Sequence, residues 1–533
     1  MIGTTRREFM YVVGGATFAL NAPAWAGGDD TWNQGDLVHL LPTASHQRFL
    51  IKTSFKTPRH DAPLLAIDDR RVPGKRGDSQ GYFWRFDVDG LNPATRYSLR
   101  LLDARGRGIT DPWPLKTLPH PSQRMDRLRI LTYTCAGGDE RQAAPDGTPF
   151  YISLAARRQL LQRGLMFAPD VVIANGDHVY YDQRTMLMNK PPFVIQAQRA
   201  LLDRVGTLDV TKPIFGTENE DIIRRVGDSQ IAQLYGVMLR STPVFFLTDD
   251  HDLFENDEAT DDYVTLPPEP AYLDAARAIQ HLYYPEFLPD ATRPQDLPGG
   301  RQDGGAPGLS EAFGTLRYGT LFEALLYDTK RFASVDSAHG FLVPPDAEAW
   351  LQARTQARDT VHLAHIPSTP LGWSAGKWGE WYPDVLQENG RLGTTQPKPH
   401  WPESWWHQHQ RILKMLGAQT GRTPLMLSGD LHQFSAGRIL KSGDLDFTSN
   451  PIHSIIVGPL GTGAPAFPSA HRKVLAQPPT AITMDEHFPP LEKNGFTIMD
   501  VTPHRMGFAF YAWRPPQAVA EIAGLNPVYG FQI

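Results

Sequence analysis

Cysteine is the scarcest residue of this sequence, with one, Cys135, among 533 residues. A single thiol excludes an intrachain disulfide. Lysine and arginine are not massed on any stretch and the formal net charge is −6, so nothing favours nucleic-acid binding or a polybasic membrane anchor. Beyond the first 26 residues no apolar run is long enough to cross a membrane. Internal repeats and low-complexity tracts are also missing.

The first 26 residues have the pattern of an export signal. Arg6 and Arg7 precede an apolar stretch, and Ala24 and Ala26 supply small residues at the two positions that a signal peptidase reads. The paired arginines indicate the twin-arginine route. We therefore expect a signal peptide over residues 1–26, the twin-arginine export machinery as a partner, and a periplasmic or secreted protein. In such a protein a lone cysteine points to a special role.

The remaining sequence divides into two parts. From residue 31 to 118, short alternating runs separated by Gly, Pro, Asn and Asp predict an N-terminal β-sandwich domain. The phrase from Gly90 to Tyr97 resembles the tyrosine corner of fibronectin-type sandwiches, in which the tyrosine hydroxyl bonds back to the backbone. The alternative is a β-rich extension of the main domain. From 119 to 533, apolar runs alternate with helical stretches, which predicts a catalytic domain with parallel strands and crossover helices.

Several elements of the second part are predicted individually. Four stretches before apolar runs have helical patterns, namely residues 148–165, 228–239, 346–357 and 404–419. Residues 453–460 predict a strand, and 495–502 with 505–513 predict a hairpin. Two long segments rich in Pro, Gly and Trp, 284–308 and 372–406, are expected to be loops that shape a substrate entrance.

Four short motifs each follow an apolar run that predicts a strand. They are Cys135 in LTYTCAGG, GDHVY at 176–180, DDHD at 249–252 and GDLH at 429–432. Because parallel strands present their ends to one crevice, we expect these motifs to converge. The crevice then holds a thiolate, several carboxylates, a phenol and two imidazoles. That combination predicts a dinuclear metal site, which suits phosphoester hydrolysis.

The second and third motifs offer roles for particular side chains. Asp177 lies at a strand tip, and the phenol of Tyr180, one helical turn later, is a ligand that favours a ferric ion. Asp250 is a candidate ligand. His251 is a candidate proton donor or phosphate-binding group, with Asp252 positioned to hold its imidazole in one tautomer. Asn256 and Asp257 follow in an acidic segment and are candidate ligands for a hard cation such as calcium.

The first and last motifs leave two chemistries open. Asp430 and His432 are two residues apart, which places both side chains on one side of an extended segment. Cys135 is either an iron ligand or a nucleophile, so a cysteine-dependent hydrolase is an alternative. A catalytically inactive exported protein that binds metal or has a structural role is a second alternative.

Together these motifs resemble the alkaline phosphatase D (PhoD-like) family of metallophosphoesterases, over essentially the whole chain. The resemblance implies an α/β (α+β) metallophosphoesterase sandwich, with helices flanking β-sheets and an N-terminal all-β fibronectin- or Ig-like domain. It also implies an exported hydrolase of phosphate monoesters or diesters, with a small-molecule or polymeric phosphoester as substrate. The cofactors that it implies are Fe³⁺ and Ca²⁺, in a dinuclear or larger cluster.

The same resemblance assigns the ligands. Those of the ferric ion would be Cys135, Asp177, Tyr180 and His432. Asp177 would also bridge to calcium, which Asp250 and Asp430 face, and His251 would lie beside the substrate phosphate. The chain departs from the family pattern around the third motif. Thr248 replaces a tryptophan, Asp252 replaces a glutamate, and Asn256, the expected calcium ligand, lies one residue further along. The phrase at 327–331 resembles a family phrase with an added lysine, which favours a structural salt bridge.

Overall fold

The computed structural model describes residues 32–184, 190–300, 308–394 and 398–533. The predicted signal peptide, residues 1–26, lies outside these ranges. No helix among the described residues has both the length and the hydropathy needed to span a lipid bilayer.

Eight strands near the N-terminus form two four-stranded antiparallel sheets. The strands are β1 (Leu37–Ala44), β2 (Phe49–Phe55), β3 (Leu64–Ile67), β4 (Arg70–Pro73), β5 (Lys75–Arg76), β6 (Phe83–Val88), β7 (Arg96–Leu102) and β8 (Trp113–Lys116). The sheet orders are β1-β2-β6-β5 and β4-β3-β7-β8. Side chains along β7 alternate between exposed and buried, as expected for a strand with one face on a core.

The tyrosine-corner interpretation has a direct counterpart in the structure. The hydroxyl of Tyr97 accepts a hydrogen bond from the backbone N–H of Asn92 at 2.7 Å, five residues upstream. Residues 32–118 contain no helix. The division into a domain of residues 31–118 and a domain of residues 119–533 stays a prediction.

The rest of the chain contains sixteen strands within the described residues. They are β9 (Leu128–Thr134), β10 (Val171–Asn175), β11 (Val244–Leu247), β12 (Phe313–Tyr318), β13 (Phe322–Tyr327), β14 (His362–Pro367), β15 (Val385–Leu386), β16 (Leu392–Gly393), β17 (Leu425–Ser428), β18 (Phe434–Ser442), β19 (Leu445–Asp446), β20 (Ile452–Val457), β21 (Ile482–Leu491), β22 (Asn494–Thr502), β23 (Arg505–Trp513) and β24 (Tyr529–Gln532). Apart from the β15–β16 hairpin, they form two mixed sheets. One sheet has the order β11-β10-β9-β22-β23-β24, and the other has the order β12-β13-β14-β17-β20-β18-β19 with β21 paired to β18.

Parallel pairing occurs where helix-to-strand units were predicted. Strand β10 pairs in parallel with both β9 and β11. In the second sheet, β13-β14, β14-β17 and β17-β20 are parallel. The predicted strand at 453–460 is β20, and the predicted C-terminal hairpin is the antiparallel pair β22–β23. These predictions are confirmed.

The described residues contain eight α-helices, several of which pack on the outer faces of the two sheets. They are α1 (Leu154–Leu165), α2 (Pro192–Val205), α3 (Glu218–Gly227), α4 (Gln233–Tyr235), α5 (Pro270–Tyr283), α6 (Pro345–Gln356), α7 (Glu403–Gly417) and α8 (Pro468–His471). Helices α1, α6 and α7 confirm three of the four predicted stretches. The stretch 228–239 is wrong in part, because a π-helical segment, Asp228–Ala232, joins α3 to the short α4 and the chain turns at Gly236, with φ 48°.

Alternating side chains of the central strands explain the layers. Val171 and Ile173 of β10 belong to the core between the sheets, together with Leu425 and Leu427 of β17. The intervening residues of β10 pack in a second core with side chains of α1, α3 and α5. A third core joins the other face of the second sheet to α6 and α7. The order helix, sheet, sheet, helix is the expected sandwich with helices flanking β-sheets.

Within the described residues, the two segments expected to be loops have little regular structure, and the second one is well packed. In the second segment only the β15–β16 hairpin and the start of α7 are regular among the described residues. Trp373, Trp381 and Trp405 are nevertheless fully buried. This segment is therefore anchored against the core, close to the ends of the strands.

A buried histidine between the N-terminal sheets and α5 predicts acid sensitivity. His39 is fully buried, with Nε2 3.0 Å from the carbonyl oxygen of Tyr283 and Nδ1 2.6 Å from Ser54 Oγ. Burial lowers its pKa from 6.5 to about 3. The unfolded chain therefore binds a proton that the folded chain excludes, and stability is lost as pH falls below 6.5. The expected slope is up to ~1.4 kcal/mol per pH unit in the free energy of unfolding.

Urea unfolding of His39→Gln and the wild type between pH 7 and pH 4 measures this slope. The variant should lose less stability on acidification than the wild type. His407→Gln is the matched control, because the His407 side chain is 61% exposed. Equal slopes for His39→Gln and the wild type would contradict the prediction.

Candidate metal centre

Each of the four motifs lies immediately after a strand. Cys135 follows β9, Asp177 follows β10, Asp249 follows β11 and Asp430 follows β17. The first three strands are neighbours in one sheet, whereas β17 belongs to the facing sheet. The motifs do converge, as predicted, but the crevice lies between two sheets rather than at the edge of one.

Two glycines allow the strand ends to approach each other closely. A Cβ atom on Gly176, which has φ +75°, would lie 2.8 Å from Cβ of Asp249. A Cβ atom on Gly429 would lie 2.1 Å from Oγ1 of Thr134. Real side chains do not tolerate such contacts, so glycine is required at both positions for the four loops to meet.

Four candidate ligands have strained backbones. Cys135, Asp177, Asp430 and His432 have φ angles of 47°, 60°, 65° and 51°. Each residue in this left-handed region costs about 1 kcal/mol or more, and surrounding structure must hold it there. Such strain concentrates at functional sites, and here it coincides with the residues that sequence motifs selected.

The first cluster contains sulfur, oxygen and nitrogen donors. Ligand atoms of Cys135, Asp177 and His432 all lie within 4.8 Å of one another. Cys135 Sγ is 3.3 Å from Asp177 Oδ2, and the hydroxyl of Tyr180 is 3.3 Å from the same oxygen. The structure thus brings together all four predicted ligands of the ferric ion. A thiolate, an imidazole, a phenol and a carboxylate fit a transition metal.

The imidazole of His432 is oriented for coordination. Its Nδ1 is 2.7 Å from the carbonyl oxygen of Ala466 and donates a hydrogen bond to it. Nε2 is then the unprotonated nitrogen. Burial lowers the pKa of His432 to about 4, so the ring is neutral at pH 7. A backbone carbonyl that fixes the tautomer in this way is a common outer contact of histidine ligands to metals.

The second cluster contains carboxylates only. Oxygen atoms of Asp177, Asp249, Asp250 and Asp430 lie within 4.8 Å of one another. Each residue has a buried oxygen that accepts no hydrogen bond from the described residues: Asp177 Oδ1, Asp249 Oδ1, Asp250 Oδ1 and Asp430 Oδ2. Burial raises the pKa of Asp177 well above its usual range, and the charge of Asp250 raises it further. Unpaired buried carboxylates are costly, so this arrangement fits a hard cation.

His251 is held by a different carboxylate from the one predicted. Its Nδ1 is 2.9 Å from Asp182, so the expectation that Asp252 orients this imidazole is wrong. Burial lowers the pKa of His251, but the charges of Asp182 and Asp250 outweigh burial and raise it well above its ordinary value. The imidazolium is thus favoured, beside the carboxylate cluster.

Asp252 shapes the loops instead. Its carboxylate accepts hydrogen bonds from four backbone N–H groups, those of Asp177, His178, Val179 and Asp249, at 2.8 to 3.0 Å. Both carboxylate oxygens of Asp252 are therefore used by backbone N–H groups. The reason for the correction is geometric, because Asp252 is the middle residue of the short 3₁₀ turn His251–Leu253 and its carboxylate reaches the backbone N–H groups of the loop after β10.

Asn256 and Asp257 lie beside the centre in different ways. The side-chain Nδ2 of Asn256 is 3.3 Å from Nε2 of His251, and its Oδ1 is buried without a hydrogen-bond partner among the described residues. Asp257 contacts two lysines, with Oδ2 2.6 Å from Lys330 Nζ and Oδ1 2.9 Å from Lys377 Nζ. The salt bridge predicted for the 327–331 phrase is therefore present, and it reaches the centre.

Comparisons with known proteins give the fold. No protein-family model matches the chain, and no curated protein matches it. Among solved structures, that of PhoD superposes with a TM-score of 0.60 at 14% identity, covering 94% of this chain and 90% of PhoD. The purple acid phosphatase PPD1 from yellow lupin (Lupinus luteus) seeds superposes with a TM-score of 0.52 at 13% identity, covering 94% of this chain and 74% of that enzyme. The chain therefore shares the fold of these two solved structures.

Some residues of this candidate metal centre were not predicted from the sequence. Asp249 was visible in the third motif but not singled out. Asp182 follows the second motif by two residues, and its acidity was the available signal. Lys377 lies in the long segment 372–406 and belongs to no motif. Only the tertiary structure brings it to the carboxylates.

Proposed function

We propose that this chain is a metal-dependent phosphoesterase that hydrolyses phosphate monoesters or diesters. The observation that carries the proposal is the convergence of Cys135, Asp177, Tyr180 and His432 next to buried carboxylate oxygens that lack hydrogen-bond partners among the described residues. The PhoD-like fold supports the same reaction class. One of the two similar structures is a phosphatase by name, the purple acid phosphatase PPD1.

The donor sets suggest which ions bind where. We assign Fe³⁺ to Cys135, Asp177, Tyr180 and His432, because sulfur, nitrogen and phenolate donors suit a transition metal. The neighbouring oxygens of Asp177, Asp250, Asp430 and Asn256 would hold Ca²⁺, a hard cation that prefers oxygen ligands. When bound, such ions activate a water molecule and neutralise charge on phosphoryl oxygens.

Within this proposal His251 acts on the substrate. Asp182 holds Nδ1, which leaves Nε2 directed away from that carboxylate. A protonated ring donates a hydrogen bond to a phosphoryl oxygen or a proton to the leaving alkoxide. Asp252, which the sequence assigned to catalysis, acts as a positioning residue through the loop that carries Asp177.

The cysteine-hydrolase alternative has weaker support. A nucleophilic cysteine needs a lowered thiol pKa. Burial raises the pKa of Cys135 well above its ordinary value, and the charge of Asp177 raises it further. This is the opposite of activation, whereas coordination to a metal ion deprotonates a thiol outright.

Removal and return of metal tests the function. After dialysis against EDTA, hydrolysis of p-nitrophenyl phosphate and of bis(p-nitrophenyl) phosphate should fall by at least ~10²-fold, because water activation is lost. Calcium returned to protein that retains iron should restore the rate. Elemental analysis of each sample supplies the metal content, and a mock dialysis without chelator is the control. Full hydrolysis by metal-free protein would contradict the proposal, and full metal content without any phosphoesterase activity would favour the inactive binding protein.

We propose further that the protein works outside the cytoplasm, in the periplasm or as a secreted protein. The twin-arginine pattern of residues 1–26 supports this, because that route exports proteins after they fold. A site containing a buried thiol is then assembled before export. The scattered basic residues give no support for a nucleic-acid partner.

A further inference from the structure

Lys377 contacts three carboxylates at the candidate metal centre. Its Nζ lies 3.2 Å from Asp250 Oδ2, 2.9 Å from Asp257 Oδ1 and 2.5 Å from Asp430 Oδ1. Three carboxylates thus surround one ammonium group, and the Lys377 side chain is only 11% exposed. Without the lysine, such a group of carboxylates would suit a metal cation such as Ca²⁺.

The segment that carries Lys377 is fixed in place. Its backbone carbonyl accepts a hydrogen bond from Lys398 Nζ at 2.5 Å. The carboxylate of Glu380 accepts hydrogen bonds from the hydroxyl of Ser374 and the backbone N–H of Ala375, both at 2.7 Å. These hydrogen bonds hold the backbone around Lys377 in place and so fix the position from which its side chain extends.

In each carboxylate that contacts Lys377, only one of the two oxygens lies next to this lysine. Asp250 and Asp430 give one oxygen to Lys377, and their other oxygens, Asp250 Oδ1 and Asp430 Oδ2, lack hydrogen-bond partners among the described residues. Asp257 gives both oxygens to ammonium groups, since Lys330 Nζ takes the second one at 2.6 Å. Asp257 thus has a lysine ammonium within ion-pair distance of each oxygen, although its Oδ1 makes no hydrogen bond to the described residues. Asp250 Oδ1 and Asp430 Oδ2 have neither a hydrogen bond nor a lysine within ion-pair distance among the described residues.

We propose that Lys377 is a built-in cation that fills an outer cation position bounded by Asp250, Asp257 and Asp430. Metal ions then bind only through the oxygens on the Asp177 side. The ammonium nitrogen of Lys377 lies 2.5 to 3.2 Å from one oxygen of each carboxylate, so it occupies the space in which a metal ion would contact those three oxygens. The inference rests on the proposed metal-dependent function only in expecting metal at the neighbouring positions.

Substitution of Lys377 should open the outer position to calcium. Lys377→Met removes the ammonium and leaves three buried carboxylates to be neutralised. Equilibrium dialysis against calcium, followed by elemental analysis, should show about one more calcium ion per chain than in the wild type. Calcium should also raise the melting temperature of Lys377→Met more than that of the wild type. Lys441→Met is the matched control, since that lysine is 54% exposed.

Equal calcium content and an equal melting shift in Lys377→Met and the wild type would overturn the proposal. Asp257→Asn supplies an independent arm that does not depend on the stability of Lys377→Met. Because Asp257 contacts lysines on both oxygens, this substitution should leave the calcium content of the protein unchanged. Loss of a calcium ion from Asp257→Asn would show that Asp257 is a metal ligand and would also overturn the proposal.

These measurements separate the inference from the proposed function. A wild-type protein without bound metal would remove the support for the phosphoesterase. The extra calcium of Lys377→Met is counted against the wild type and needs no enzymatic activity. A metal-containing, active wild type whose calcium content is unaffected by Lys377→Met would leave the phosphoesterase intact and reject the built-in cation.

Discussion

Asp177→Asn should lower the rate of phosphoester hydrolysis by at least ~10³-fold, equivalent to about 4 kcal/mol of transition-state stabilisation. Within the part of the chain that the structure describes, there are three groups of potential metal ligands, and Asp177 is the one residue that belongs to all of them. Its partners are Cys135 and His432 in the first group, Asp250 and His251 in the second, and Asp249, Asp250 and Asp430 in the third. An amide of the same size keeps the strained turn but removes the charge. Both metal positions should therefore weaken together.

Initial rates with p-nitrophenyl phosphate and bis(p-nitrophenyl) phosphate, paired with elemental analysis, measure the effect. Asp203→Asn is a matched control, because Asp203 is exposed on α2. The melting temperature of each variant shows whether the fold is retained. An Asp177→Asn protein that keeps both its metal content and its rate would exclude Asp177 as the bridge.

Cys135→Ala should remove iron preferentially and lower the rate by roughly 10²-fold or more. Thiolate is the softest donor of the centre, and Cys135 Sγ lies 3.3 Å from Asp177 Oδ2. The carboxylate cluster does not include the sulfur, so calcium binding should suffer less than iron binding. The sequence has one cysteine, which makes the substitution free of disulfide effects.

Alkylation of the wild type adds a second readout. The thiol of Cys135 should resist iodoacetamide in the folded protein, because the side chain is fully buried and its pKa is raised well above its ordinary value. Cys135→Ala gives the background signal. Full iron content together with full activity in Cys135→Ala would reject the ligand assignment, and rapid labelling without metal loss would support the cysteine-hydrolase alternative.

Much of the architecture was predictable because its signals are local. The alternation of side chains in β7 and the apolar runs before each motif report strands directly. The segment 228–239 was less predictable, since a helical pattern does not distinguish α-helical from π-helical turns. The role of Asp252 could not be predicted, because its choice between an imidazole and four backbone N–H groups depends on where a separate loop lies.

The sequence by itself determined the chemistry of the donors and their places at strand ends. Each motif follows an apolar run, and the motifs together supply one thiol, one phenol, the imidazoles and the acidic pairs. Each motif can be recognised within a few residues of sequence. The tertiary structure alone decided that β17 comes from the facing sheet, that Asp182 holds His251, and that Lys377 reaches Asp250, Asp257 and Asp430. The contacts of Lys377 join residues that are 53 to 127 positions apart, and the contact of His251 with Asp182 spans 69 positions. They depend on how the two sheets and the segment that carries Lys377 pack. Periodicity carries no information at such separations, because packing against distant elements sets them.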